Sequence, residues 1–264
     1  MVLQMNKWLE LSISLLVIFL ISFAPLSYAA EGGLPVPVGR VVWVKGTLKA
    51  EMPNKEVRTL QRASIIYLSD ILTTDDKSQA QIVFTDNSLM TFRPTTTFVI
   101  KEYHFNPNAK GKSAGKYIMN LIEGGFRTIT GLIAKKNPND YQINTPVATI
   151  GVRGTDFSIY FQDGNLYMAR YEGSPCMSGG SGSLCLTSTT PSYAYTSPTQ
   201  PPTPVTAKPA VFEVKEEIVP TKMEPFATET GGTATGTPAG GGTTTTGGED
   251  QVIEGKVSSF CITN

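Results

Sequence analysis

The chain has 264 residues, 40% of them hydrophobic and 17% charged, with 22 Lys and Arg balanced by 22 Asp and Glu. This neutral balance excludes a surface built to neutralise nucleic-acid phosphates, which draws on clustered basic side chains. The single histidine, His104, sits inside the alternating segment Glu102-Tyr103-His104-Phe105, so neither a catalytic triad nor a histidine-rich metal site is expected.

The first residues have the order of a secretory signal peptide. Lys7 precedes an apolar run from Leu11 to Phe23, Pro25 breaks it, and Ser27 and Ala29 supply the small side chains that signal peptidase requires. Cleavage is expected after Ala29, placing the mature chain, which starts at Ala30, in the periplasm or outside the cell. The stretch from Leu11 to Leu26 is shorter than the ~20 residues that span a bilayer. No second stretch in 30–264 is long and apolar enough to cross, so no membrane span is expected in the mature chain.

Short strands follow, punctuated by turn chemistry. Val41 to Val44 runs to a turn at Gly46. Ala80, Ile82 and Phe84 share one face of the next clear strand, Asp86-Asn87 turns the chain, and Leu89 to Phe92 returns as a hairpin. Phe98 to Tyr103 alternates again, Asn106 to Gly115 reads as a surface loop, and Tyr117 to Ile122 is a strand that Gly124-Gly125 breaks. Between Ile143 and Phe161 the alternation changes phase. Ala148, Ile150 and Val152 are apolar at even positions, whereas Phe157, Ile159 and Phe161 are apolar at odd ones. Side chains of a strand alternate strictly between faces, so a kink is expected at Arg153 to Thr155, with Gly151 and Gly154 supplying the backbone freedom. Asp163-Gly164 then turns the chain into a strand from Leu166 to Tyr171.

Three cysteines lie beyond this point. Cys176 and Cys185 flank a Gly/Ser-rich loop that lets their sulfurs meet, so a disulfide between them is expected in an oxidising compartment, leaving Cys261 over. Thr187 to Pro209 has linker composition, Val211 to Val219 regains alternation and could add one strand to the domain or project outward, and Thr228 to Gly248 is too poor in apolar residues to order. The resulting division is a signal peptide over 1–29, one all-β domain over 36–186, a Thr/Pro-rich linker over 187–227 and a Gly/Thr-rich disordered tail over 228–264. The domain is expected to be a β-sandwich or a rolled, short solenoid-like sheet.

Few residues suggest chemistry. Asp75-Asp76 and Asp86-Asn87-Ser88 lack the spaced acidic ligands of a calcium loop and read as turns. Glu123 and Asp140 stand in loop contexts rather than as a paired acid and base. Trp43, Tyr67, Phe98, Tyr103, Tyr117 and Tyr160 read as core or cross-strand pairs before they read as a glycan or peptide groove. Arg153, between two glycines, reads as an ion pair with Asp156 or a fork over exposed carbonyls that fixes the bend, against the alternative of a contact presented on the corner.

The run Thr145-Pro146-Val147-Ala148-Thr149-Ile150-Gly151-Val152-Arg153-Gly154-Thr155-Asp156-Phe157 resembles the signature of the FecR domain, and the similarity extends over about residues 38 to 173. The resemblance implies an all-β fold, an envelope location and a partner protein. FecR itself relays a signal of iron-dicitrate uptake from an outer-membrane transporter to a cytoplasmic sigma factor. Only ten residues precede the apolar run here, too few for a sigma-binding segment, so sigma-factor regulation and iron are not carried over. The expectation is a non-enzymatic exported protein, without cofactor or metal, that binds an envelope or membrane protein as a sensory or scaffold component. The alternative is a structural or adhesive module that binds glycan or cell wall.

Overall fold

A computed structural model describes residues 35–109, 115–180, 182–213 and 218–221. All of these fall in the first of two compact units, Met1–Pro225, and the second, Phe226–Asn264, lies outside them. The signal-peptide, tail and Cys261 expectations also fall outside the described residues.

The strands are β1 (Pro37–Lys45), β2 (Leu48–Glu51), β3 (Val57–Leu60), β4 (Ile65–Tyr67), β5 (Ile71–Thr74), β6 (Gln79–Phe84), β7 (Leu89–Phe92), β8 (Thr97–Phe105), β9 (Gly115–Ile129), β10 (Tyr141–Asn144), β11 (Thr149–Gly151), β12 (Asp156–Gln162), β13 (Asn165–Glu172), β14 (Cys176–Gly179), β15 (Gly182–Cys185), β16 (Tyr193–Ser197) and β17 (Gln200–Val205). One short helix, α1 (Leu132–Lys136), follows β9. The 17 strands form one continuous sheet, which β9 folds into two facing layers. Residues 115–123 of β9 pair with β8 and with β10, and residues 124–129 pair with β7 and β12. The first layer runs β4-β1-β6-β7-β9-β12-β13-β16-β17 and the second β3-β2-β5-β8-β9-β10-β11-β14-β15. After β9 the hairpins alternate strictly between layers: β10–β11 in the second, β12–β13 in the first, β14–β15 in the second, β16–β17 in the first. The domain is therefore a two-layer sandwich whose chain advances as a roll, so both expected descriptions apply to one object.

Aromatic side chains fill the space between the layers. Phe98 of the second layer lies 5.1 Å from Phe92 and 5.5 Å from Phe126 of the first, and Tyr117 lies 5.0 Å from Phe84 and 5.2 Å from Tyr141. Burying each phenylalanine contributes about 1.5–3 kcal/mol.

Three sequence expectations change. Gly124-Gly125 does not break a strand; it is where β9 passes from one layer to the other. The supposed linker over 187–209 holds β16 and β17, because Ala194 packs into the core while Tyr193 and Tyr195 face outward. Its proline content misleads, since Pro201, Pro202 and Pro204 lie on an edge strand, where a missing N–H breaks no ladder. At the start of the possible strand over 211–219, a 3-10 turn at Ala210–Phe212 instead seats Phe212 against Tyr193, with ring centroids 6.1 Å apart. Residues 214–217 lie outside the described residues.

Candidate functional site

The run Thr145 to Phe157 carries the chain from the second layer to the first. Thr145 closes the β10–β11 turn: its Oγ1 donates to the Ala148 carbonyl at 2.8 Å and accepts the Ala148 N–H at 3.0 Å, while Pro146 sits inside the loop. Ile150 and Val152 point into the core. The crossing follows at Arg153 to Thr155, where Gly154 has φ of +58°, a conformation that favours glycine. Thr155 is buried and pinned to Thr130, whose Oγ1 accepts its N–H at 2.8 Å and donates to its carbonyl at 3.1 Å. Phe157 then enters the core from the opposite phase.

The expected Arg153–Asp156 pair does not form. Asp156 is held by Arg127 of β9 in a two-pronged bridge, Nε to Oδ1 at 2.9 Å and Nη2 to Oδ2 at 2.8 Å. The guanidinium of Arg127 lies 4.3 Å from the ring centre of Tyr171. Arg127 already stands beside Asp156 across the β9–β12 pairing, so nothing remains for Arg153 to neutralise. Arg153 is exposed and makes no ion pair or hydrogen bond with any described residue. Gly151 also departs from expectation: its φ is not positive, and a Cβ added there would meet nothing within 4 Å. What its missing side chain leaves is space, the floor of an open groove of about 450 Å³. Arg153 stands on its lip, with Gln142, Thr149, Ser174 and Ser178 as polar lining. The Cys176–Cys185 disulfide, between directly opposed residues of β14 and β15, ties the hairpin beside the groove.

The family model described as FecR protein matches residues 70–174, which include the whole crossing and the groove up to Ser174. The chain carries a FecR domain. The match begins at Asp70, so β1 to β4 stand outside it. Two crystal structures of a "putative anti-sigma factor" from Parabacteroides distasonis ATCC 8503 align with a TM-score of 0.39 and 12% identity, over 51% of this chain and 59% of that one. This chain thus spans under two thirds of that protein. No curated protein matches the chain.

Two carboxyls of the matched segment, those of Asp70 and Asp86, are buried. Asp86 is fully buried, with Oδ1 accepting the Ser88 N–H at 3.0 Å and also the Ser88 hydroxyl, and Oδ2 accepting the Ile133 N–H at 3.3 Å. The Asp86-Asn87-Ser88 turn thereby anchors the start of α1. Burial pushes the Asp86 carboxyl above the usual range, opposed by the bonds from Ser88, Ile133 and Tyr103. Burial likewise raises Asp70, against the Tyr67 N–H and the Arg58 guanidinium, which donates to its Oδ2 at 2.7 Å. Both groups bind a proton more tightly folded than unfolded. Their contribution to stability is complete below the ordinary value of 3.8 and is lost as pH rises through the folded values. The urea midpoint is therefore expected to fall as pH rises from the ordinary carboxyl value of 3.8 toward neutrality, with a shallower slope in Asp86→Asn. A midpoint that rises with pH over that interval would contradict this assignment.

Among the described residues no group of three or more His, Cys, Asp or Glu side chains could hold a metal ion. Asp75 sits in a turn, its carbonyl accepting the Ser78 N–H, and Asp140 accepts from Asn137. Phe98, Tyr103 and Tyr117 belong to the core, but Trp43 and Tyr160 lie on the outer face of the first layer. There Tyr160 stands opposite Tyr167, which stands opposite Tyr195 with ring centroids 5.2 Å apart. Sequence reasoning missed Tyr167, Tyr171, Tyr195 and Arg127. The signal for the first two was the odd-numbered phase of β13, opposite to core Leu166 and Met168; Arg127 had none.

No helix among the described residues is long and apolar enough to cross a membrane.

Proposed function

We propose that this FecR-domain protein is exported and binds another envelope protein, as a sensory or scaffold component. The observation that carries the reading is Arg153, whose guanidinium stands on the lip of a polar groove without a partner among the described residues. An unpaired charge of this kind is available to a partner's carboxylate or carbonyl groups. The signal-like order of residues 1–29 supports export.

The test is crosslinking of the tagged full chain in its native cells, beside Arg153→Glu, with mass spectrometry of captured proteins and of the N-terminus. Expected are a mature end at Ala30 and one dominant envelope protein whose capture falls at least about tenfold in the variant, with an unchanged thermal midpoint. Equal capture by both chains overturns the role of Arg153, and an uncleaved end overturns export. A second reading, a glycan- or wall-binding module, draws on the outward row Tyr160, Tyr167 and Tyr195, since sugar rings stack on such surfaces. Tight retention by isolated peptidoglycan, lost in Tyr167→Ala, would favour it.

A further inference from the structure

A second groove, of about 420 Å³, is lined by Arg40 to Trp43 of β1, by Arg62 and Ala63 before β4, and by Val219 and Thr221. An irregularity of register between Val41 and Trp43 sets Trp43 directly opposite Gln81. The Gln81 side chain is organised as one half of a peptide contact. Its Oε1 accepts the Trp43 indole N–H at 3.0 Å and the backbone N–H of Val219 at 3.2 Å. Its Nε2 is buried without a partner among the described residues, on a residue that is 0% exposed. A primary amide whose oxygen already takes a backbone N–H, and whose nitrogen is still unspent, is matched to the N–H and C=O of one extended chain. Burial without an acceptor is costly, so an occupant that offers a carbonyl gains there.

The short segment 218–221 already lies against Gln81, to which the Val219 N–H donates, and Val219 and Thr221 form one wall of the groove. Arg40 and Arg62 stand on the same rim, and neither has an ion pair among the described residues. In the sequence, Glu216-Glu217 immediately precede Ile218-Val219-Pro220-Thr221. Two unpaired cations beside a seat for an aliphatic-Pro segment define the complementary ligand: an extended peptide with carboxylates ahead of an aliphatic pair and a proline.

We propose that the Trp43–Gln81 groove is a peptide-binding site for an extended partner segment of that pattern, and that Ile218–Thr221 keeps its place in the free chain. The tethered segment acts at an effective concentration near the millimolar range, so an incoming peptide competes against it. This site is separate from the groove beside Arg153 and does not depend on the partner assigned there.

The test uses the full chain with Trp8→Phe, which leaves Trp43 as the remaining one of the two tryptophans. A synthetic peptide with the sequence of residues 213–222 is titrated while Trp43 emission is read, in this chain and in the same chain with Val219→Asp. The expected result is saturable binding to the Val219→Asp chain at peptide concentrations at least about tenfold lower than for its parent, because the tethered competitor has been removed. Adding Arg62→Glu should weaken that binding by about fivefold and reduce its salt dependence. Val219 is 38% exposed, so the thermal midpoint should stay unchanged. No saturable change in the Val219→Asp chain, or equal affinities in the two chains, overturns the proposal. Neither result bears on capture through Arg153.

Discussion

Gly125→Val is expected to abolish the folded state, whereas Gly151→Ala should leave stability within about 0.5 kcal/mol. At Gly125 a Cβ would stand 2.3 Å from the Ile159 carbonyl oxygen and 2.9 Å from the Tyr160 Cα, both backbone atoms of β12 that cannot swing aside. The same residue is fixed from the other side, since its N–H donates to Thr96 Oγ1 at 3.0 Å and its carbonyl accepts the Arg93 N–H at 2.9 Å. Neighbouring Gly124, with φ of +77°, makes the turn that lets β9 change layers. Relief of the clash would part β9 from β12 where the layers join. The cost should exceed about 4 kcal/mol, comparable with the whole stability of many domains. Urea unfolding followed by circular dichroism measures both variants. A Gly125→Val chain with a normal midpoint would mean that β9 and β12 are not paired as described.

Asp156→Ala should cost about 2–3 kcal/mol, and Arg153→Ala less than about 0.5. Removing the carboxylate strips Arg127 of a two-pronged partner in a half-buried setting, with the side chains only 25% and 15% exposed. The figure lies below that for a fully buried pair because water still reaches both groups. Arg127→Met in the same chain should restore part of the loss, giving a coupling above about 0.5 kcal/mol in a double-mutant cycle. If Arg153→Ala proved as damaging as Asp156→Ala, the guanidinium on the groove's lip would have a structural partner after all, and its availability to another protein would fall.

The kink in the Thr145 to Phe157 run was readable from residue types alone, because a strand cannot bury Ile150 and Phe157 on one face without an extra turn of the backbone. The partner of Asp156 was not. Arg153 stands three residues away in sequence and Arg127 stands 29, yet the pairing of β9 with β12 brings the distant one into register. Local spacing says nothing about which strands adjoin. Gly124-Gly125 misled for a related reason, since a glycine pair ends a strand or bends it, and neighbouring layers decide which. The prolines of β17 misled through position: the same residues that forbid a central strand are tolerated at an edge. The cysteine pair was legible because its connection is local. The groove at Gly151 was not, since an absent side chain signals backbone freedom and empty space alike.

The alternating hairpins give the roll two unlike ends. At one end β3 and β4 terminate their layers, while at the other the first layer closes on β17, where Pro202 and Pro204 have no N–H to offer. A chain of copies growing end to end would have to join unlike faces repeatedly, since each copy must both present an edge and receive one. In the first layer the receiving edge is short of donors, so strand pairing stops with the copy that begins it. Proline content that reads as slack linker thus acts as the terminus of the first layer.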